Sequence, residues 1–281
     1  MFNVFEYYTI PLDDWIETAV DWLVGNYRFI FQAIKWPIEQ TLNGIEAFLQ
    51  WLPPSVIILA FVIIGWRVAG RGIGIFALLA LTFIGLIGVW EEAMTTLSMV
   101  LSSLIFCTVV GTPLGIIASQ SNRFYNIIRP VLDAMQSTPA FVYLVPVVML
   151  FSIGTVAGVI ATIIFSIPPI IRLTNLGIRQ VHTELIEAAH AFGCTRVQTL
   201  LKVQIPLAMP TILAGINQNI MLSLAMVVIA SLIGAGGLGI LVFEGVNSLR
   251  IGLAGIGGLG IVLIAMVLDR ITQALGQIKR E

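Results

Sequence analysis

The sequence predicts an all-α polytopic membrane protein, and three observations carry that reading. Of 281 residues, 58% are apolar and only 10% are charged, against roughly 25% charged in an ordinary soluble domain. Mean hydropathy is +1.00. The charges leave long uncharged intervals, several near the ~20 residues that an α-helix needs to cross a bilayer. So few charges cannot cover a soluble surface. The same composition excludes a solenoid and a disordered tail. The formal net charge of −1 gives no global field to draw the chain to a polyanion, which excludes a nucleic-acid binder.

The first 52 residues stand apart. Seven acids (Glu6, Asp13, Asp14, Glu17, Asp21, Glu39, Glu46) and two bases (Arg28, Lys35) interrupt them. Yet Ile16, Val20, Trp22 and Leu23 share one helical stripe, and Ile45, Phe48, Leu49 and Leu52 another. Trp15, Trp22, Trp36 and Trp51 are interspersed. Residues 1–52 therefore read as amphipathic helices at the membrane interface, where tryptophan prefers to sit. The alternative is a soluble hairpin packed on the membrane domain. No basic n-region precedes an early apolar run, so no cleavable signal peptide is expected. The first long apolar segment would then serve as the targeting signal.

Residues 53–281 form the transmembrane unit. A charge at the centre of a span costs about 2.5–3.5 kcal/mol, so uncharged intervals mark the spans. They run over 53–69 with Arg67 near one end, then 72–90 and 93–122. Two more fit within 134–171, separated by a hairpin near Gly154–Gly158. The last two are 211–233, trimmed by Pro206, Pro210 and the glycines at 234–239, and 251–268. That makes about seven. Placing the 175–210 loop in the cytoplasm and alternating puts 11 of the 14 bases inside and ten of the 15 acids outside. This positive-inside pattern puts the N-terminus outside and the C-terminus inside.

The 175–210 loop carries the clearest local signals. Thr183 is placed to cap a short helix, with Glu184 and Glu187 near its positive end. Leu185, Ala188, Ala189 and Phe192 form a helical stripe. Gly193 stands where a C-terminal cap wants left-handed backbone. Thr195 and Gln198 then have capping-box spacing, ahead of an apolar face of Val197, Leu200 and Leu201. A short, rigid helix in such a loop suits a groove on a partner.

These residues resemble a family. Glu187-Ala188-Ala189-x3-Gly193, then nine residues, then Val203-Gln204-Ile205-Pro206 is similar to the EAA loop of ABC-importer permeases. That pattern is EAA-x3-G-x9-I-x-LP, and this chain has Val203 for Ile and Ile205 for Leu. Met135–Leu144, Ile167–Arg172 and Ala214–Gln218 resemble the permeases of glycine betaine/proline betaine importers, so the likeness covers about residues 55–272. Choline, carnitine and trimethylamine-oxide permeases are close relatives of that group. The first 52 residues are similar to its extra amphipathic segment.

The resemblance implies a type I ABC-importer permease fold and the permease role in ATP-driven import of a betaine-like quaternary amine or osmolyte. It implies that the EAA helix, with Glu187, Ala188, Ala189, Gly193 and Pro206, docks on a separate ATP-binding subunit. The other implied partners are a periplasmic or extracellular solute-binding protein and a second permease copy, in the bacterial cytoplasmic (inner) membrane. No cofactor is expected in this chain; ATP and Mg belong to the ATPase. Uptake of choline, carnitine or trimethylamine oxide for nutrition is the alternative within the class. A non-transporting membrane scaffold is the alternative outside it.

Other motifs carry less. Gly234-Ala235-Gly236-Gly237-Leu238-Gly239 fits G-x-G-x-x-G, but an apolar helix precedes it where a dinucleotide site needs a strand. It reads as a turn at the external mouth. His182 and His190 lack companions at zinc spacing, and no triad or paired carboxylates assemble within the spans. Cys107 and Cys194 read as free thiols. No P-loop is present, and no charge sits mid-span as in proton- or sodium-driven transporters. Transport energy is therefore expected from a partner. The path candidates are Gln136, Ser137, Thr138, Phe141 and Tyr143, then Asn217, Gln218 and Met221, with Asn219, Ser223 and Met226 nearby. Amides and thioethers make weak contacts, and aromatic faces attract quaternary ammonium. The alternative is that these polar groups satisfy one another between helices.

Overall fold

A computed structural model describes residues 11–277; Glu6, Lys279, Arg280 and Glu281, which entered the charge count, lie outside them. Among the described residues every regular element is helical. The helices are α1 Leu12–Trp51, α2 Pro54–Ala69, α3 Arg71–Leu86, α4 Trp90–Gln120, α5 Asn122–Ser137 and α6 Leu144–Phe151. There follow α7 Thr155–Arg179, α8 Thr183–Ala191, α9 Arg196–Thr199, α10 Ile205–Ala230, α11 Leu238–Asn247 and α12 Ile251–Gln277.

The all-α membrane architecture stands, but the count of spans changes. Among the described residues four stretches are long and apolar enough to cross a bilayer: α4, α7, Arg196–Ile233 and α12. Counting two bent pairs as one span each raises the number to six, below the seven expected. The 53–69 and 72–90 intervals become α2 and α3, of 16 residues each. At 1.5 Å per residue each is about 24 Å long, short of a ~30 Å hydrocarbon core. They pack on one another as a hairpin, turning at Gly70 with φ +92°.

The first part of 134–171 is not a straight span either. There α5 meets α6 at 107°. Pro139 forces its predecessor Thr138 out of helical geometry, to φ −72° and ψ 128°. A 3-10 turn, Ala140–Tyr143, then leads into α6, of only eight residues. The chain reverses at Ser152–Gly154, where φ is 71° and 127° at the two ends, so Gly158 lies inside α7. Pro206 and Pro210 do not trim the next span. A π turn at Leu200–Gln204, closed by the Ile205 N–H donating to the Leu200 carbonyl, carries the helix into Pro206, and Pro210 sits inside α10. The wider spacing of the π turn leaves room for a proline ring that an α turn would not.

Within α1 two helical segments meet at a kink at Tyr27, where φ −120° and ψ 17° leave helical geometry. Residues 12–30 are largely exposed. The second half buries Ile38, Leu42 and Leu49 and packs on α4, α6 and α7. All four tryptophans stay exposed.

At the centre α7 lies between α4 and α10 and is buried along most of its length. Lipid tails are as apolar as leucine, so close backbone approach must hold such helices together. Gly111 and Gly115 supply it on α4: a Cβ on Gly115 would lie 2.6 Å from Thr174 Cβ. Gly177 of α7 meets Ala208 and Thr211 of α10 in the same way. One end of this bundle gathers the start of α4, the glycine turn and the second half of α1. There Thr95 Oγ1 donates to Glu46 Oε1 at 2.7 Å, and the Leu238 N–H donates to Thr96 Oγ1 at 2.8 Å. The opposite end gathers α5, the last turns of α7, and α8–α9.

Candidate functional site

The loop between α7 and α10 folds into two short helices. Thr183 is the first residue of α8, not its cap; His182 occupies the cap position without a side-chain bond. Termination follows the expected chemistry. Gly193 takes φ +81°. The Cys194 N–H donates to the Ala189 carbonyl at 3.0 Å and the Gly193 N–H to the His190 carbonyl at 2.9 Å, the paired bonds of a Schellman cap. His190 Nδ1 also lies 3.2 Å from the Cys194 carbonyl, so this histidine belongs to the cap. The Thr195–Gln198 capping box is formed in both directions, at 3.3 and 2.9 Å.

The junction between α8 and α9 is thus fixed by local bonds on both sides. The root of the loop is fixed too, because Ala189 is buried while Glu187 and Ala188 remain exposed. Phe192 is 89% exposed and Val197 64% exposed. Leu201 is exposed as well, so the expected apolar stripe divides. Ala189 and Thr199 seat the loop on the protein, while Phe192, Val197 and Leu201 form an uncovered apolar edge. Pro206 stands exposed at the head of α10.

The path candidates fall into two groups. At the α5–α6 bend, Gln136, Ser137 and Phe141 are exposed and Thr138 is half-buried. Ser137 and Thr138 hydroxyls both donate back to the Ala134 carbonyl. Tyr143 Oη donates to the Met135 carbonyl at 2.6 Å, stapling the bend, and its ring lies 6.2 Å from that of Phe165. The 3-10 turn of this bend packs against α10. On α10, Ala214, Gln218, Met221 and Ala225 form one exposed stripe on a helix otherwise largely buried.

Asn217 points elsewhere. Its Nδ2 donates to Asp269 Oδ1 at 2.9 Å, and Thr272 Oγ1 donates to its Oδ1. Gln273 Nε2 donates to both Asp269 oxygens. This network joins α10 to α12 beside a cavity of about 250 Å³ lined by Pro210, Leu213, Ala214, Asn217, Thr272, Gln273 and Gly276. Asn217 therefore acts as an interhelical tie, while its neighbour Gln218, about 100° around the helix, faces outward.

Asn219 and Ser223, named beside the path candidates, turn inward, to Ser103 and Ser166, which the sequence did not single out. Ser103 donates to Ser223 at 3.0 Å, Ser223 to Ser166 at 3.3 Å, and Asn219 Nδ2 to the Ser166 carbonyl at 2.7 Å. Cys107 Sγ sits 3.6 Å from Ser166 Oγ. These groups stitch α4, α7 and α10 together at their buried centre. Three serines in uncharged intervals were the available signal, but serine alone gives no partner. The ion pair of Arg172 with Asp133, at 2.6 Å, and the contacts of Arg179 were equally hidden. The glycine-rich stretch forms a turn with φ 75° at Gly234 and 85° at Gly237. Gly237 lies against Thr96, which leaves no cradle for a phosphate.

Comparison with known proteins adds to this geometry. Residues 111–280 match the family model described as binding-protein-dependent transport system inner membrane component. The chain is 55% identical over 271 residues to the glycine betaine/proline betaine transport system permease protein ProW of Escherichia coli, covering 96% of this chain and 77% of that one. It is 47% identical over 264 residues to the glycine betaine transport system permease protein OpuAB of Bacillus subtilis, covering 94% of each. Among solved structures, a chain of the MetNI methionine ABC transporter superposes with a TM-score of 0.60 at 22% identity, over 71% of this chain and 97% of that one. At that identity the likeness is one of fold.

Proposed function

The chain belongs to the family of binding-protein-dependent transport system inner membrane components, and on that premise we propose that it forms the solute path of an ATP-driven importer of a betaine-like quaternary amine. The observation that carries the reading is the α8–α9 loop. It is capped on both sides of the α8–α9 junction, is seated by Ala189 and Thr199, and presents Phe192, Val197 and Leu201 to a partner. An uncovered apolar edge on a rigid loop is costly unless something covers it. A separate ATP-binding subunit is that partner, and it holds ATP and Mg; this chain supplies the docking helix alone.

The α8–α9 end then faces the cytoplasm, with the N-terminus outside and the C-terminus inside, as the basic residues near it require. The solute passes along the α10 stripe of Gln218 and Met221, with Phe141 at the α5–α6 bend. Amide, thioether and aromatic groups hold a quaternary ammonium weakly enough to release it. A second copy of this chain closes the other side of the path, and an external binding protein delivers the solute. Residues 12–30 lie along the outer membrane surface, and the second half of α1 braces them against the bundle.

The test is uptake in proteoliposomes holding this chain, its ATPase and its binding protein. Radiolabelled glycine betaine should enter only with ATP and loaded binding protein. Competition by choline, carnitine or trimethylamine oxide at equal concentration would reassign the substrate within the class. A chain that supports neither uptake nor stimulated ATP turnover would be a scaffold.

A further inference from the structure

We infer that Arg179 is the positioning residue that transmits movement of the docking loop to the α5–α6 bend, an inference resting on the transport reading above. Arg179 ends α7, four residues before α8 begins. Its Nε donates to Asn175 Oδ1 at 2.7 Å, which fixes the direction of the guanidinium. Nη1 donates to Asn122 Oδ1 at 2.7 Å and Nη2 to the Ala118 carbonyl at 2.8 Å. The guanidinium carbon lies 5.4 Å from the centre of the Tyr125 ring. One side chain therefore grips the last turn of α4, the first turn of α5 and the last turn of α7.

Each contact has a physical reason. The last carbonyls of α4 have no partner within their own helix and carry the negative end of its dipole. A cation there satisfies both the bond and the field. The planar fork reaches a carbonyl, an amide and a ring face together, which an ammonium cannot do. A second strap lies two turns back on the same helix, where Arg172 Nη2 meets Asp133 Oδ1 at 2.6 Å. Asn122 and Asp133 stand near opposite ends of α5, so α7 holds α5 along its length. Ile128, Leu132 and Met135 add an apolar seam against α4 and α7.

The far end of α5 carries Gln136, Ser137 and Thr138 and leads into Phe141 and Tyr143. Along the chain, the docking loop reaches that bend only by way of α7 and α6. Across Arg179 it reaches α5 through one side chain. When the ATPases move α8, the end of α7 turns, and Arg179 turns α5 with it.

The experiment uses the whole complex in proteoliposomes and reads glycine betaine uptake and ATP hydrolysis in the same vesicles. The variants are Arg179→Gln, Arg179→Lys, and Asn122→Ala combined with Tyr125→Leu. In assembled complexes, ATP hydrolysis stimulated by loaded binding protein should persist in all three. Solute imported per ATP should fall about tenfold in Arg179→Gln and in the Asn122/Tyr125 variant. Arg179→Lys should lie between these and the parent. An unchanged ratio of solute to ATP would reduce Arg179 to packing and overturn the proposal. If Arg179→Gln does not assemble, the Asn122/Tyr125 variant decides, because it leaves α7 intact. Failure of both to assemble would make the contact a folding element and also overturn it. Absence of uptake by the parent complex would instead sink the transport reading.

Discussion

At Gly193 the backbone takes φ +81°, a region where a side chain costs roughly 1–2 kcal/mol. The residue ends α8 and aims the chain toward α9, so its torsion sets the angle between α8 and α9. Ala189, 8% exposed, seats α8 from beneath. Replacing Gly193 with Val and Ala189 with Trp should tilt and lift the docking edge. Membrane insertion should stay normal while ATP-driven uptake falls by about tenfold or more. Unimpaired uptake by this double variant would remove the loop from the coupling mechanism. Gly115 tests the bundle in a different way. A Cβ there meets Thr174 Cβ at 2.6 Å and the Ile171 carbonyl at 2.8 Å, so Gly115→Val should force α4 away from α7 at a cost of about 1–3 kcal/mol. Gly44, with nothing within 4 Å of its Cβ position, is the matched control. Thermal unfolding in detergent should show a lower midpoint for Gly115→Val and near-parent behaviour for Gly44→Val, a small shift from helix propensity aside.

At the scale of elements, orientation follows from where charge meets the helix ends. Single cysteines near Glu91 and Val246, in a background lacking Cys107 and Cys194, should react with an impermeant reagent from outside. Cysteines near Arg71 and Thr195 should not. The reverse labelling would take α8 and α9 out of reach of a cytoplasmic ATPase. Short-range chemistry made several of these elements legible in the sequence. The capping box of Thr195 and Gln198 and the left-handed Gly193 need only neighbours within a few residues. The long uncharged runs of α4, α7 and α12 need only the bilayer. The α5–α6 bend was not legible, because 134–171 is uncharged throughout and hydropathy cannot tell a bent half-span from a straight one. The start of α10 was misread for a related reason. Pro206 and Pro210 usually end a soluble helix, but the π turn at Leu200–Gln204 absorbs the change in pitch. Among the path candidates, Asn217 and Gln218 are adjacent in sequence and identical in polarity class. Only the rotation of α10 assigns one to Asp269 and Thr272 and the other to the open stripe.

At the scale of the whole molecule, α1 joins two different environments. Residues 12–30 stand clear of the bundle with Trp15, Ile16, Trp22 and Phe29 exposed, as a helix lying on lipid requires. Beyond the Tyr27 kink, from Phe31 onward, α1 becomes part of the bundle. Phe31 meets Phe151 edge to face at 5.7 Å. Ile38, Leu42 and Leu49 are buried, and Glu46 Oε1 accepts from Thr95 at 2.7 Å. These contacts reach α4 and α6 at the end of the bundle opposite the docking loop. Two truncations should therefore behave differently. Removing residues 1–30 takes away the largely exposed residues 12–30, so assembled complex should fall by less than about twofold, a shift of under ~0.5 kcal/mol. Removing residues 1–50 uncovers three buried aliphatic side chains' worth of contact, each contributing about 1.5–3 kcal/mol of burial, and should sharply reduce the assembled complex. In both, turnover and solute affinity per assembled complex should stay near the parent values, because no residue of α1 belongs to the α10 stripe or the docking edge. Quantifying assembled complex and uptake in the same vesicles separates this bracing role from a sensing one. A 1–30 truncation that assembles fully but no longer responds to ionic or osmotic conditions would identify the exposed half of α1 as a regulator of transport, and the brace would be the wrong description of it.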